Sequence, residues 1–208
     1  MVSTTPVCYR TPLMNMVRAI VSALLLLQTA TVASAMVVVQ RDFPELVARA
    51  EQIVVGTVTD IKQETDASGA PATFVSFSDL TVLKGDVGDT LTVRLYGGDT
   101  GGVVVRIPDM PTFSLGERAV LFVAGNGRDV CPLVGVWQGR FHVRFDSQRQ
   151  TDVVETNDRA AVVGIAGRRI LRASAAAEST PTAAMPLGDF LDSIAGELAH
   201  PTAATPAR

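Results

Sequence analysis

Cysteine and histidine are scarce in this chain: there are two of each in 208 residues, with one tryptophan and two tyrosines. Two cysteines allow at most one disulfide, which excludes a disulfide-built scaffold and leaves burial to supply stability. The two histidines leave little for metal coordination or general-base chemistry. Charge is sparse as well. Only 19% of residues are charged, and 18 basic against 21 acidic side chains give a net −3, which does not describe a chain built to coat nucleic-acid phosphates. No apolar run is long enough to span a bilayer comfortably. What is present is 47% hydrophobic residues, enough for one packed domain and too many for wholesale disorder.

The first 35 residues carry only two charged side chains, Arg10 and Arg18. Arg18 leads into the apolar run Ala19 to Leu27, Gln28 and Thr29 close it, and Ala33-Ser34-Ala35 places small residues where a signal peptidase inspects the chain. Residues 1–35 therefore read as a signal peptide cleaved after Ala35, with Met14 or Met16 as alternative starts. The product is expected outside the cytoplasm, periplasmic or extracellular, with membrane contact only through the signal peptide. Loss of Arg10 and Arg18 leaves 16 basic against 21 acidic residues, net −5, and Cys131 as the single cysteine. Cys131 lies in the apolar stretch Val130 to Val134 and reads as a small buried hydrophobe.

The body from 36 to 172 reads as strands. Asp42-Phe43-Pro44-Glu45 carries a capping box with Pro in the first turn, and predicts a short helix ahead of the β-branched run Ile53 to Ile61. Phe74 to Leu83 changes the parity of its apolar face near Ser78-Asp79, which predicts a β-bulge. Leu91 to Leu95 and Val103 to Ile107 alternate across Gly97 to Gly102 and read as a hairpin. Further strands are expected at Ala119–Val123, Leu133–Trp137 and Phe141–Phe145, the last with His142 and Arg144 facing out, and another at Thr151–Glu155. Val162 to Ile165 is ambiguous. Seven or so short strands of this apolarity predict a mainly β fold, a closed or nearly closed antiparallel OB-like barrel, because closure removes sticky edges. Residues 173–186 read as an Ala/Ser/Thr/Pro linker. Residues 187–200 read as a tethered C-terminal helix with Phe190, Leu191, Ile194 and Leu198 on one stripe, docking on the barrel, and 201–208 as a tail.

The order of these landmarks carries a resemblance. A short helix with Glu45 to Ala50, the strand Ile53 to Val58 with Gly56, a strand ending Val82-Leu83-Lys84-Gly85-Asp86, and then Phe113 to Val123 with Gly116-Glu117 resemble small secreted bacterial proteins with an OB-type barrel. That arrangement is similar to the netrin-like module of tissue inhibitors of metalloproteinases, over roughly residues 42 to 146. The resemblance implies a secreted protein or protease as partner. It does not carry over the zinc-chelating N-terminal cysteine of those inhibitors, because the expected mature N-terminus is Met36-Val37-Val38-Val39. Val37, Val38 and Val39 offer instead an extended segment that adds to a partner's sheet edge.

Little in the chain points to catalysis. His142 is the only histidine of the expected domain and has no ligand-spaced Cys or acid beside it. No Gly-x-Ser-x-Gly elbow occurs, and Asp86, Asp89 and Asp99 lack the ligand spacing of a calcium loop. No metal and no cofactor is expected. The most suggestive row is Arg140, His142 and Arg144 on one strand, three cationic or potentially cationic groups able to meet an acidic peptide, glycan or lipid head group. No nucleic-acid partner is expected, since the phenylalanines of the alternating strands point inward and leave no stacking platform. The function expected is an exported noncatalytic binding or accessory module. The alternatives are an inhibitor or partner of a secreted protease, and a small hydrolase.

Overall fold

The computed structural model describes residues 40–173 and 183–202. The cleavage-site residues Ala33 and Ala35, the Val37 to Val39 segment, most of the linker tract and the tail from 203 lie outside the described residues.

Asp42 starts the first helix, α1 (Phe43–Arg49). Its Oδ1 accepts from the Glu45 backbone N–H at 2.9 Å, and Glu45 Oε2 accepts from the Asp42 N–H at 3.4 Å, so two orphan donors are satisfied reciprocally. The chain turns extended at Ala50, and the Ile53-Val54-Val55 run enters β1 (Gln52–Thr65), where branched side chains cost less than in a helix. There follow β2 (Pro71–Lys84), β3 (Leu91–Tyr96), the two-residue pair β4 (Gly98–Asp99) and β5 (Val104–Val105), β6 (Arg118–Val123), β7 (Arg140–Asp146) and β8 (Thr151–Thr156). A hairpin of β9 (Val162–Ala166) and β10 (Arg169–Arg172) and the helix α2 (Leu187–Ala199) complete a mainly β fold.

The main sheet is antiparallel in the order β3-β2-β1-β6-β7-β8. Both of its faces are covered, which explains the unbroken apolar runs in β1 and β6. Val54, Val58, Phe77, Val93, Leu121 and Leu133 pack on one face. Ile53, Val55, Val120, Phe122 and Val154 pack on the other, against Phe43 and Leu46 of α1 and Phe190 and Ile194 of α2. The parity change in β2 is a bulge: Val55 pairs with Thr81 but Thr57 with Ser78, and Asp79 between them has φ 52°.

Neither outer edge of the sheet is bare. Beyond β3, the Asn126 carboxamide takes the place of a peptide unit, accepting from the Arg94 N–H at 3.0 Å and donating to the Thr92 carbonyl at 2.8 Å. The Tyr96 N–H donates to the Val130 carbonyl at 2.9 Å. Beyond β8, Met185, within the stretch read as a linker, accepts from the Val154 N–H at 3.0 Å and donates to the Val162 carbonyl at 2.6 Å. These contacts occupy the groups through which a sheet edge recruits another chain. Among the described residues β3 and β8 are not paired with each other.

Three strand expectations are corrected. Leu133–Trp137 forms only a single bridge, Val123 to Leu133, because Gly135 and Val136 follow with φ of 64° and 62°, outside any strand conformation. Leu91–Leu95 pairs with β2 and not with Val103–Ile107. Gly97 (φ 98°) turns the chain away, and a Cβ there would meet the Val105 carbonyl oxygen at 2.8 Å. In β7 the facing differs from expectation: Arg140 and His142 are buried, at 4% and 3% exposure, while Phe145 is 57% exposed. Arg144 does face out.

Candidate functional site

The register of β6 on β7 sets Arg140 opposite Leu121 and His142 opposite Ala119, so both side chains extend the Leu121 face of the sheet. At β7 that face changes from apolar to ionic. Glu117, at the turn entering β6, is positioned by Gly116, whose N–H donates to the Val58 carbonyl at 2.8 Å. Its Oε1 accepts from Arg140 Nη2 at 2.5 Å and lies 3.1 Å from His142 Nδ1, off line for a straight hydrogen bond. His142 Nε2 lies 3.3 Å from the Asn157 carbonyl, and Arg140 Nη1 donates to Asn157 Oδ1 at 3.3 Å. Phe113 stacks 4.2 Å from the Arg140 guanidinium carbon and meets Phe77 edge-on.

Burial works against ionisation of Glu117, but His142 and Arg140 together outweigh it and hold the carboxyl below its usual range. Burial likewise lowers the Arg140 pKa, opposed by Glu117. Across the next pair, Glu155 faces His142 and accepts from Arg144 Nε at 2.5 Å. Arg144 is thus tied to Glu155, and the three residues of the expected cationic row do not form one surface.

Beside this cluster opens a cleft of about 460 Å³ between the entry to α1, the turn before β7 and the β9–β10 hairpin. Five arginines line it: Arg41, Arg140, Arg168, Arg169 and Arg172. Arg168 Nε donates to Asp42 Oδ2 at 2.7 Å in an ion pair, and its carbonyl accepts from the Phe43 N–H, which ties the hairpin to α1. Arg172 pairs with Asp158 at 3.1 Å, and Arg41 stands 3.8 Å from Glu45. The Arg41 N–H donates to Gln138 Oε1 at 2.7 Å. Ile170 and Trp137, both half-buried, give it an apolar side, and the core residues Leu46 and Phe141 also line it.

A second cavity, about 480 Å³, lies under the 97–113 segment, lined by side chains that include Val75, Leu95, Ile107 and Met110. Phe113 lines it too, and so stands between this cavity and Arg140. Among the described residues, no cluster of three metal-ligating side chains occurs, no hydroxyl or thiol is hydrogen-bonded to His142, and no helix is long and apolar enough to cross a membrane. Cys131 is partly buried against the Leu121 face, and burial raises its thiol pKa.

Of the expected site residues among the described residues, only Arg140 lines the cleft. His142 sits behind it. Arg41, Arg168, Arg169, Arg172 and Trp137 were not singled out from the sequence. The available signal was local charge density, three arginines within five residues from Arg168 to Arg172, just beyond the ambiguous Val162 to Ile165 segment. Comparison of the chain with protein-family models, curated proteins and solved structures finds no match.

Proposed function

We propose that the protein is an exported, noncatalytic binding or accessory module that receives an anionic group of its partner in the arginine-lined cleft. The observation that carries the reading is that five arginines from three separate segments line one cleft, together with apolar side chains. Export rests on the Arg18, Ala19–Leu27 and Ala33-Ser34-Ala35 pattern. An OB-like barrel is the finer description of the body. It is supported by the order β3-β2-β1-β6-β7 and by the 125–131 segment, whose Asn126 and Val130 occupy the free edge of β3 in place of a closing strand.

The second reading, an inhibitor or partner of a secreted protease, draws on the netrin-like resemblance and on one further feature. Val103 and Val104 stand 56% and 54% exposed where the β4–β5 loop enters β5, an apolar projection a protease groove would cover.

Affinity capture from the exported fraction with the full chain as bait tests both. One dominant protein lost on Arg169→Gln supports the cleft; one lost on Val103→Asp with Val104→Asp supports the protease reading. Retention of nothing, together with turnover of a hydrolase substrate panel abolished by His142→Ala, would replace both by an enzyme. N-terminal sequencing of the exported product is expected to begin at Met36.

A further inference from the structure

We infer that the cleft takes a carboxylate carrying a single negative charge and joined to an apolar body, an inference that rests on the binding-module reading above. The charge balance selects the head group. Of the five guanidinium groups, four lie in ion pairs with Asp42, Glu45, Glu117 and Asp158. One positive charge is left over. It sits on Arg169, which is exposed and has no ion pair among the described residues. A single carboxylate matches that surplus. A phosphate dianion would bring a second negative charge near Asp42 and Glu45 with nothing to offset it.

The guanidinium of Arg169 offers a planar pair of N–H donors, the geometry a carboxylate accepts in two parallel bonds. Two neighbours stand ready to add a donor. The Arg172 pair is half-exposed on both sides and therefore weak, and Arg41 lies 3.8 Å from its carboxylate, beyond a normal hydrogen bond. The apolar side selects the rest of the ligand. Ile170 and Trp137, both half-buried, line the cleft with the arginines, so an apolar or aromatic body is partly desolvated there while its acid stays at the arginines. A volume of about 460 Å³ admits a small molecule or a chain terminus and not a folded surface.

Trp137 is the chain's only tryptophan and borders the cleft, so its fluorescence reports occupancy directly. The full chain is titrated with phenylacetate, phenylacetamide, inorganic phosphate, and a Phe-terminated peptide with free or amidated C-terminus. The expected result is a saturable change with phenylacetate and the free-acid peptide, and none with the amides or phosphate. Arg169→Gln is expected to weaken the acids about tenfold or more, the loss of one charge-assisted contact, with Arg169→Lys recovering part of it. Tighter binding of the free-acid peptide assigns a protein chain end as the source, and tighter binding of phenylacetate assigns a small acid; both support the carboxylate. Equal response to the amides, or a stronger one to phosphate, overturns the carboxylate and leaves the cleft as a binding site. No saturable response to any probe overturns the inference alone if the bait still captures one dominant partner, and the binding-module reading with it if nothing is captured.

Discussion

Glu117→Gln is expected to be among the most destabilising single substitutions in this protein. The side chains of Glu117 and Arg140 are 10% and 5% exposed, so removing the carboxylate charge leaves a buried guanidinium beside neutral acceptors and the Phe113 ring, with its opposite charge gone. Breaking a buried pair from one side costs about 3–5 kcal/mol. For a folded body of this size that lowers Tm by roughly 9–15 °C. Replacing both partners with apolar residues of similar volume, Glu117→Leu with Arg140→Met, removes the desolvation cost as well as the attraction. The pair is expected to fall within about 1 kcal/mol of the parent, helped by sulfur against the Phe113 ring. Urea denaturation of the parent, Glu117→Leu, Arg140→Met and the double variant closes the cycle, with Glu117→Gln measured beside them. Acid titration adds an independent readout. The folded Glu117 carboxyl lies below its usual range, so its contribution is present above the unfolded value and disappears as pH falls through the folded one. Glu117→Gln should flatten that part of the acid limb. A loss under about 1 kcal/mol in Glu117→Gln, or a double variant less stable than that single one, would refute the reasoning.

Other substitutions probe the packing and the edges. Phe190 is fully buried between Phe43 and Phe141, with ring centroids 6.0 and 4.9 Å away, and Phe190→Ala is expected to cost about 3–5 kcal/mol in urea unfolding. Asn126→Ala should cost about 1–2 kcal/mol and slow-exchange protection at the Arg94 amide, because β3 loses two of the three contacts that cap its edge; light scattering on heating should rise as well. The Cys131 thiol, whose pKa is raised by burial, should be alkylated far more slowly than a free thiol at pH 8 and at the free rate in denaturant.

Local pattern was enough to determine the elements whose signals are covalently near one another. Asp42 and Glu45 are three residues apart, so the start of α1 is written in its own sequence, and so are the apolar stripe of α2 and the bulge at Ser78-Asp79, which appears as a change of parity. The sequence signals of those features each lie within a few turns of chain, although the bulge's hydrogen bonds run to β1. The facing of β7 was not legible in this way. Alternation separates inside from outside only where one face is wet, and here Glu117, Phe113 and Asn157 cover the face carrying Arg140 and His142.

The cleft lies still further from local pattern. Arg41, Arg140 and Arg169 are brought together from the entry to α1, the start of β7 and the start of β10, and Arg168 reaches Asp42 across 126 residues. A one-dimensional pattern records which residues are basic, but the number of those charges left uncompensated depends on which carboxylates the fold places beside them. That count exists only once the chain has closed on itself.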